Sequence, residues 1–71
     1  MDHELLSRKI KASRVLANKS QEDIAKELGI GLKTYIKYEN NAELLTTKML
    51  FEIAQAVNQD MVYFFTKSWH E

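Results

Sequence analysis

Two lysines near the middle of the chain stand at a spacing that could serve recognition chemistry. Lys33 and Lys37 are four residues apart, so on a helix both side chains project from the same face. A lysine ammonium group can donate to O6 and N7 of guanine, or it can pair with a phosphate. A pair of solvated lysines is also common on any helix, so the surrounding elements must decide between these interpretations.

Other kinds of chemistry have little support in the sequence. The chain has no cysteine, so neither a disulfide framework nor a thiolate metal site is available. Its two histidines, His3 and His70, lie at opposite ends of the sequence, and they predict no metal site. No nucleophile with an adjacent base, no paired carboxylates facing a pocket and no glycine-rich phosphate loop is found. We therefore expect neither an enzyme nor a bound cofactor.

Composition indicates one small helical domain. The chain has 71 residues, no proline and two glycines, and its formal net charge is zero. Such a composition is typical of packed helices. Zero net charge counts against nucleic-acid binding by bulk electrostatics alone, but it leaves local basic faces possible. No apolar run is long enough to span a membrane and no secretion leader is recognised, so a cytoplasmic location is expected.

Apolar residues at helical spacing predict five helices without a linker or an internal repeat. They form one compact all-α domain over residues 1–71, with its core at about 7–65. The helices are expected at about 4–17, 20–29, 32–39, 46–58 and 60–65. Asn18 is expected to end the first helix in a left-handed conformation, and Thr46 or Thr47 to cap the fourth. The fifth helix should turn Met61, Phe64 and Phe65 inward.

The stretch from Ser20 to Asn40 predicts a short helix, a tight turn and a second helix. Ser20 and Asp23 fit a capping box, and Gly29 can take the positive φ that ends a helix. Ala25 is small enough to let the two helices cross closely. The second of these helices can then protrude into a DNA major groove, which is wide enough for an α-helix.

On these residues the chain resembles the Cro and phage-repressor type of helix-turn-helix domain, the XRE-like family with a lambda-repressor-like fold. The resemblance covers about 7–65 and rests on Arg14, "SQEDIAKELGI", "YIKYEN" and "LFEIAQAVNQDMVYFF", in that order. It implies a sequence-specific regulator of transcription that binds double-stranded DNA, and a repressor of the phage or mobile-element kind. The third helix would read base edges while the second crosses the DNA backbone. The expected location is then the nucleoid of a bacterial or phage-infected cell.

The resemblance also assigns DNA contacts. The residues at matching positions are Gln21, Leu32, Lys33, Thr34, Ile36, Lys37, Asn40 and Lys48. Leu32 and Ile36 depart from the polar residues that are usual there, and they could pack on thymine methyls or serve protein binding. Asn41 replaces the usual glycine after the third helix, which is tolerable because asparagine can adopt left-handed conformations. Lys48 is the one plausible phosphate partner in the next loop, so we expect weak non-specific affinity and a shallow salt dependence.

Two further roles follow from the same resemblance. Arg14 and Glu39 match positions that form a buried ion pair between the first helix and the end of the third. Apolar residues at places expected to be exposed predict a homodimer face, with Leu44, Leu45, Val62, Tyr63 and Trp69 as its members. A two-fold dimer implies a palindromic operator with half-sites about one DNA turn apart. The alternative is a purely structural role, in which these residues cover the small apolar core.

A second function keeps the fold and changes the partner. The chain could be a protein-interaction module, such as an antitoxin or an anti-repressor, with little DNA binding of its own. Neutral charge and the apolar Leu32 and Ile36 favour this alternative, whereas Gln21, Lys33 and Lys37 favour DNA. Binding to a random duplex at low salt separates the two.

Overall fold

A computed structural model describes residues 2–65 as five helices with short connections. They are α1 His3–Leu16, α2 Gln21–Leu28, α3 Leu32–Asn40, α4 Thr47–Ala56 and α5 Met61–Phe65, with a 3₁₀ turn at Ala42–Leu44 between α3 and α4. The predicted all-α, five-helix fold is confirmed. Asn40 belongs to α3 and not to the loop that was expected to begin there, because its backbone continues the helical hydrogen bonding for one more residue.

Short polar side chains begin the helices by accepting hydrogen bonds from backbone N–H groups. Asp2 Oδ1 accepts from the N–H of Leu5 at 3.1 Å in α1. In α2, Ser20 Oγ accepts from the N–H of Asp23 at 3.0 Å, and Asp23 Oδ2 accepts from the N–H of Ser20 at 2.8 Å. The predicted capping box is therefore present, and each bond satisfies a donor that the first turn leaves open. Thr46, rather than Thr47, caps α4.

Three helices end in the same way, with a left-handed residue at Asn18, Gly29 or Asn58. Their φ angles are 60°, 72° and 61°. In each case the next residue donates its N–H to the carbonyl five residues before it, as Ile30 does to Ala25 at 3.0 Å. This pattern is the Schellman motif, which stops a helix and redirects the chain. Asn41 does not follow it, since its φ is −133° and the chain enters the 3₁₀ turn instead, so the left-handed conformation open to asparagine is not used there.

The core lies where the five helices meet. Its largest fully buried side chains are Tyr35, Phe64, Ile10, Ile24 and Ile53. Leu28, Ile30, Leu45 and Met61 pack against it from the edge. Phe65 does not enter the core as predicted: it is 50% exposed, because adjacent residues of a helix point about 100° apart and Phe64 takes the inner position.

One lysine is part of the interior. Lys9 is completely buried, and its Nζ donates to the carbonyl of Tyr63 at 2.9 Å. The same ammonium group lies 5.0 Å from the centre of the Tyr63 ring, within the range of a cation–π contact. Lys9 therefore connects α1 to α5. The sequence analysis did not predict this contact.

Residues 2–65, which the structure describes, contain neither a membrane-spanning helix nor a group of side chains that could hold a metal ion. None of the helices within residues 2–65 has the length and apolar character that a membrane crossing requires. The same residues contain no group of three or more His, Cys, Asp or Glu side chains placed to hold a metal ion.

Candidate nucleic-acid interface

Helix α3 has one face locked into the protein and one face turned to solvent. Tyr35 and Glu39 are fully buried on the inner face. The predicted contact residues Leu32, Lys33, Thr34 and Lys37 are exposed, and Ile36 is half-buried between the two faces. The structure therefore brings these predicted residues together on one continuous surface.

The buried end of α3 is held by the carboxylate of Glu39. Its Oε2 accepts from Arg14 Nε at 2.8 Å and from the Tyr35 hydroxyl at 2.7 Å. Its Oε1 accepts from Gln21 Nε2 at 3.0 Å and from Arg14 Nη2 at 3.3 Å. Arg14 Nη1 also donates to the carbonyl of Lys19 at 2.8 Å. One carboxylate thus connects α1, α2 and α3 and has donors on both oxygens, which is what burial of a charge requires.

Two donors of this network, Tyr35 and Arg14, have raised pKa values. Burial, followed by the hydrogen bond to Glu39, raises the pKa of Tyr35 far above its usual value, so the phenol stays a neutral donor. The hydrogen bond to Glu39 raises the pKa of Arg14, so the guanidinium stays charged. Both shifts favour the protonated donors that the Glu39 carboxylate needs.

Gln21 occupies the point where α2 meets α3. Helical spacing in the sequence predicts that its side chain points toward the third helix, and its Nε2 donates a hydrogen bond to Glu39 on that helix. Its side chain is half-buried. Gln21 therefore has a scaffold contact in the free protein, and the phosphate contact that the resemblance implies would use its remaining polar surface.

The beginnings of α2 and α3 differ in their caps. At α2 the hydrogen bond from the Ser20 backbone lowers the pKa of Asp23, so an anion already sits at that end of the helix. At α3 the N-cap is Gly31, which has no side chain to occupy the first-turn donors. The first-turn N–H groups of α3 therefore lack the side-chain acceptor that those of α2 have.

Two further predicted contact residues, Asn40 and Lys48, follow the exposed face of α3 along the chain. Asn40 and Lys48 are both exposed, Asn40 at the last position of α3 and Lys48 in the first turn of α4. Between them, Asn41 Nδ2 donates to the carbonyl of Lys37 at 3.0 Å, and the N–H of Ala42 donates to Ser7 Oγ at 3.1 Å. These bonds fix the path of the chain as it leaves α3.

The predicted dimer residues are divided between different parts of the surface. Leu44 and Val62 are exposed, whereas Leu45 and Tyr63 are half-buried. Leu45 lines a small cavity of about 120 Å³ that Phe65 also borders, and Tyr63 lines a separate groove beside α1. Trp69 lies outside the described residues. Phe51 and Phe65 are also exposed. The predicted dimer face did not include them, although exposed aromatic residues are candidates for such a face.

One comparison with known proteins bears on this geometry. A family model described as a helix-turn-helix domain matches residues 7–68, which include every helix from the middle of α1 onward. No curated protein and no solved structure matches the chain.

Proposed function

The chain belongs to the XRE-like, Cro-type family of helix-turn-helix domains, and we propose that it is a sequence-specific transcriptional regulator, a repressor, that binds double-stranded DNA. The observation that carries the proposal is the division of α3 into a fully buried face and an exposed face. Helix α3 has nine residues, and an α-helix with its side chains is about 10–12 Å in diameter. A major groove about 12 Å wide accepts a helix of this diameter.

Each exposed residue of α3 has a role in this proposal. Lys33 and Lys37 donate to guanine O6 and N7 or to phosphate, and Thr34 can donate to either. Leu32 and Ile36 offer apolar surface to thymine methyl groups. Gln21 approaches the DNA backbone from the start of α2, since the second helix crosses the backbone in this class of domain. Asn40 and Lys48 contact phosphates at the far end of α3.

The charge of this surface predicts how the affinity responds to salt. Three of the lysines assigned to DNA contacts, Lys33, Lys37 and Lys48, are exposed. If each neutralises one phosphate, the logarithm of the association constant falls with the logarithm of salt concentration at a slope of about −2.7 per protomer. A slope this shallow agrees with a chain of zero net charge, and specificity must then come from contacts with bases.

The proposal includes a homodimer on a palindromic operator. Exposed Leu44 and Val62 support it, because apolar surface on a small domain favours association. Two protomers related by a two-fold axis would read half-sites about 34 Å apart. Sedimentation equilibrium measures the assembly directly, and a protein that stays monomeric at high micromolar concentration would remove the dimer from the proposal.

The experiment that tests DNA reading is selection from a random duplex pool. Wild type, the double variant Lys33→Ala/Lys37→Ala and the control Lys26→Ala are compared under the same salt. Lys26 is an exposed lysine on α2, so its loss reports the effect of removing charge outside α3. We expect wild type and Lys26→Ala to enrich the same palindrome and the double variant to lose it.

A second function is favoured by one observation on α3 itself. Leu32 is 42% exposed in the first turn of the helix, and an exposed aliphatic side chain can also be covered by a protein partner. If folded wild type enriches no sequence and does not bind a random duplex at low salt, the DNA proposal fails. The same fold would then be a protein-interaction module of the antitoxin or anti-repressor kind, with Leu32 and Ile36 as its anchors.

A further inference from the structure

Helix α1 has a second outward face that neither the core nor the α3 surface uses. Arg8, Lys11, Ala12 and Val15 stand at positions i, i+3, i+4 and i+7, so they form one stripe along the helix. The stripe and three further residues line an open groove of about 830 Å³ between α1 and the start of α5. The three further residues are Leu16, Gln59 and Tyr63.

The floor of this groove is apolar and open to solvent. Val15 is 60% exposed and Leu16 is 79% exposed. These two adjacent aliphatic side chains are the most exposed large apolar residues of α1, and together they form apolar surface that a partner could cover. Burying them against a partner would remove this surface from water, and it needs no change in the fold.

The rim of the groove carries positive charge. Arg8 and Lys11 line it, and no acidic residue is among the described residues that do so. Arg8 has a contact with Glu4, but the two charged groups are 3.6 Å apart and their side chains are 65% and 80% exposed, so the pair is weak. Because the whole chain is neutral, this positive rim is a local feature and selects for negative charge in whatever binds there.

We propose that the groove beside α1 is a docking site for an acidic, amphipathic helix of a partner protein. Its apolar residues, spaced at i, i+3, i+4 and i+7, would cover Val15 and Leu16, as in other helix-in-groove complexes. Its acidic residues would lie against Arg8 and Lys11. A second copy of this chain fits poorly, because two-fold pairing through the groove would bring the two positive rims together.

The groove is separate from the α3 surface. Arg14, which binds Glu39 of α3, is six residues from Arg8, and six residues correspond to roughly 120° around the helix. Helix α5 packs chiefly on α1 and α4, whereas α3 packs chiefly on α2 and α1. A partner in the groove therefore leaves α3 accessible, so that DNA and the partner helix can be held at the same time.

The test is selection of displayed peptides on the full chain. A library of random 16-residue peptides is selected on wild type and counter-selected on Val15→Ser/Leu16→Ser, a change at exposed positions that should leave the fold intact by circular dichroism. Binding of an enriched peptide is then measured by fluorescence anisotropy on wild type, Arg8→Glu/Lys11→Glu and Phe51→Ser. Phe51 is an exposed apolar residue of α4 outside the groove and serves as the matched control.

We expect enriched peptides to be acidic, with apolar residues at helical spacing, and to bind wild type and Phe51→Ser equally. Affinity should fall at least tenfold in Arg8→Glu/Lys11→Glu. Lys33→Ala/Lys37→Ala should keep full peptide affinity whether or not it binds DNA, which separates this proposal from the proposed function. Failure to enrich any peptide over the counter-selection, enrichment of neutral or basic peptides, or concentration-dependent pairing of the chain through Val15 would each overturn it. Loss of duplex DNA binding by Arg8→Glu/Lys11→Glu, without any enriched peptide, would instead assign the two cations to phosphate.

Discussion

Replacing Glu39 by glutamine removes one negative charge from the interior and keeps the shape of the side chain. In wild type, both carboxylate oxygens accept hydrogen bonds, and Arg14 donates to each of them, at 2.8 and 3.3 Å. A glutamine has one oxygen and one NH₂ group in those places. Whichever way the amide turns, one N–H donor of Arg14 faces the NH₂ group, and the guanidinium has no neutralising anion beside it.

The magnitude of the effect follows from burial. The side chain of Glu39 is 1% exposed and that of Arg14 is 11% exposed. Removing one partner of a buried ion pair costs about 3–5 kcal/mol, because the other charge is left uncompensated. We expect Glu39→Gln to fall near 3 kcal/mol, since Arg14 keeps some contact with water. A chain of 71 residues has a free energy of unfolding of roughly 4–11 kcal/mol, so the variant loses a large part of it.

The assay is urea unfolding followed by far-ultraviolet circular dichroism at fixed protein concentration. The matched control is Glu27→Gln, which makes the same chemical change in the ion pair that Glu27 forms with Lys19 at 2.9 Å, where the side chains are 42% and 29% exposed. That control should cost at most about 1 kcal/mol, and its effect should vanish in 0.5 M salt, whereas the Glu39→Gln loss should persist. Adding Arg14→Met to Glu39→Gln should recover part of the loss, because the uncompensated cation is then gone.

The reasoning is refuted if Glu39→Gln costs less than about 1 kcal/mol or no more than Glu27→Gln. It is also refuted if the two single changes at Arg14 and Glu39 are simply additive in the double variant. Either result would mean that the carboxylate does not compensate Arg14 as the distances indicate, and that α3 is held by apolar packing alone.

Three further predictions concern other parts of the chain. Gly29→Ala should lower the free energy of unfolding by about 1–2 kcal/mol, because a φ of 72° is strained for alanine even though no atom lies within 4 Å of the added carbon. Gly31→Ser, at a φ of −73°, should leave the free energy of unfolding unchanged or raise it by a few tenths of a kcal/mol. If urea unfolding showed Gly31→Ser to be less stable than Gly29→Ala, the left-handed turn at Gly29 would be contradicted. Because the hydrogen bond from Ser20 lowers the pKa of Asp23, the carboxylate stabilises the fold above an unfolded pKa near 3.9, and this contribution is lost as pH falls through the lower folded pKa. The stability advantage of wild type over Asp23→Asn should therefore be constant above about pH 5 and shrink toward about pH 2 in thermal unfolding, and a constant difference would show that the capping bond does not act through ionisation. Lys9→Ala should cost about 2–4 kcal/mol in urea, because it leaves a cavity and removes the donor to the Tyr63 carbonyl, whereas the exposed Lys11→Ala should stay within about 0.5 kcal/mol; equal small losses would contradict the burial of Lys9.

The helix-turn-helix segment could be predicted because its determinants are local. Ser20 and Asp23 are three residues apart, and Asn18 and Gly29 act through hydrogen bonds that span five residues. Such patterns carry the same meaning in any soluble helix, so the sequence was sufficient for them. The exposed face of α3 followed in turn from helical spacing once its boundaries were known.

The buried contact of Lys9 could not be predicted in the same way. Lys9 binds a carbonyl 54 residues away, and a lysine in a helix is ordinarily solvated. Lys9 lies three residues after Leu6 and four residues before Ser13, which are both buried on α1. This helical spacing was the one sign in the sequence that Lys9 is buried. Phe64 and Phe65 are adjacent aromatic residues of one short helix, and only the packing of α5 on α1 decides which of them is buried.

The Schellman motifs after α1, α2 and α4 also bear on how fast the domain folds. Each is closed by hydrogen bonds between residues at most five apart, so it costs little chain entropy and can form before distant parts of the sequence meet. Helical proteins dominated by such short-range contacts fold in microseconds to milliseconds. We therefore expect the boundaries of α1, α2 and α4 to be set early in folding, before the helices dock on one another. On this expectation, Arg14, Gln21 and Tyr35 reach the Glu39 carboxylate only when the helices come together.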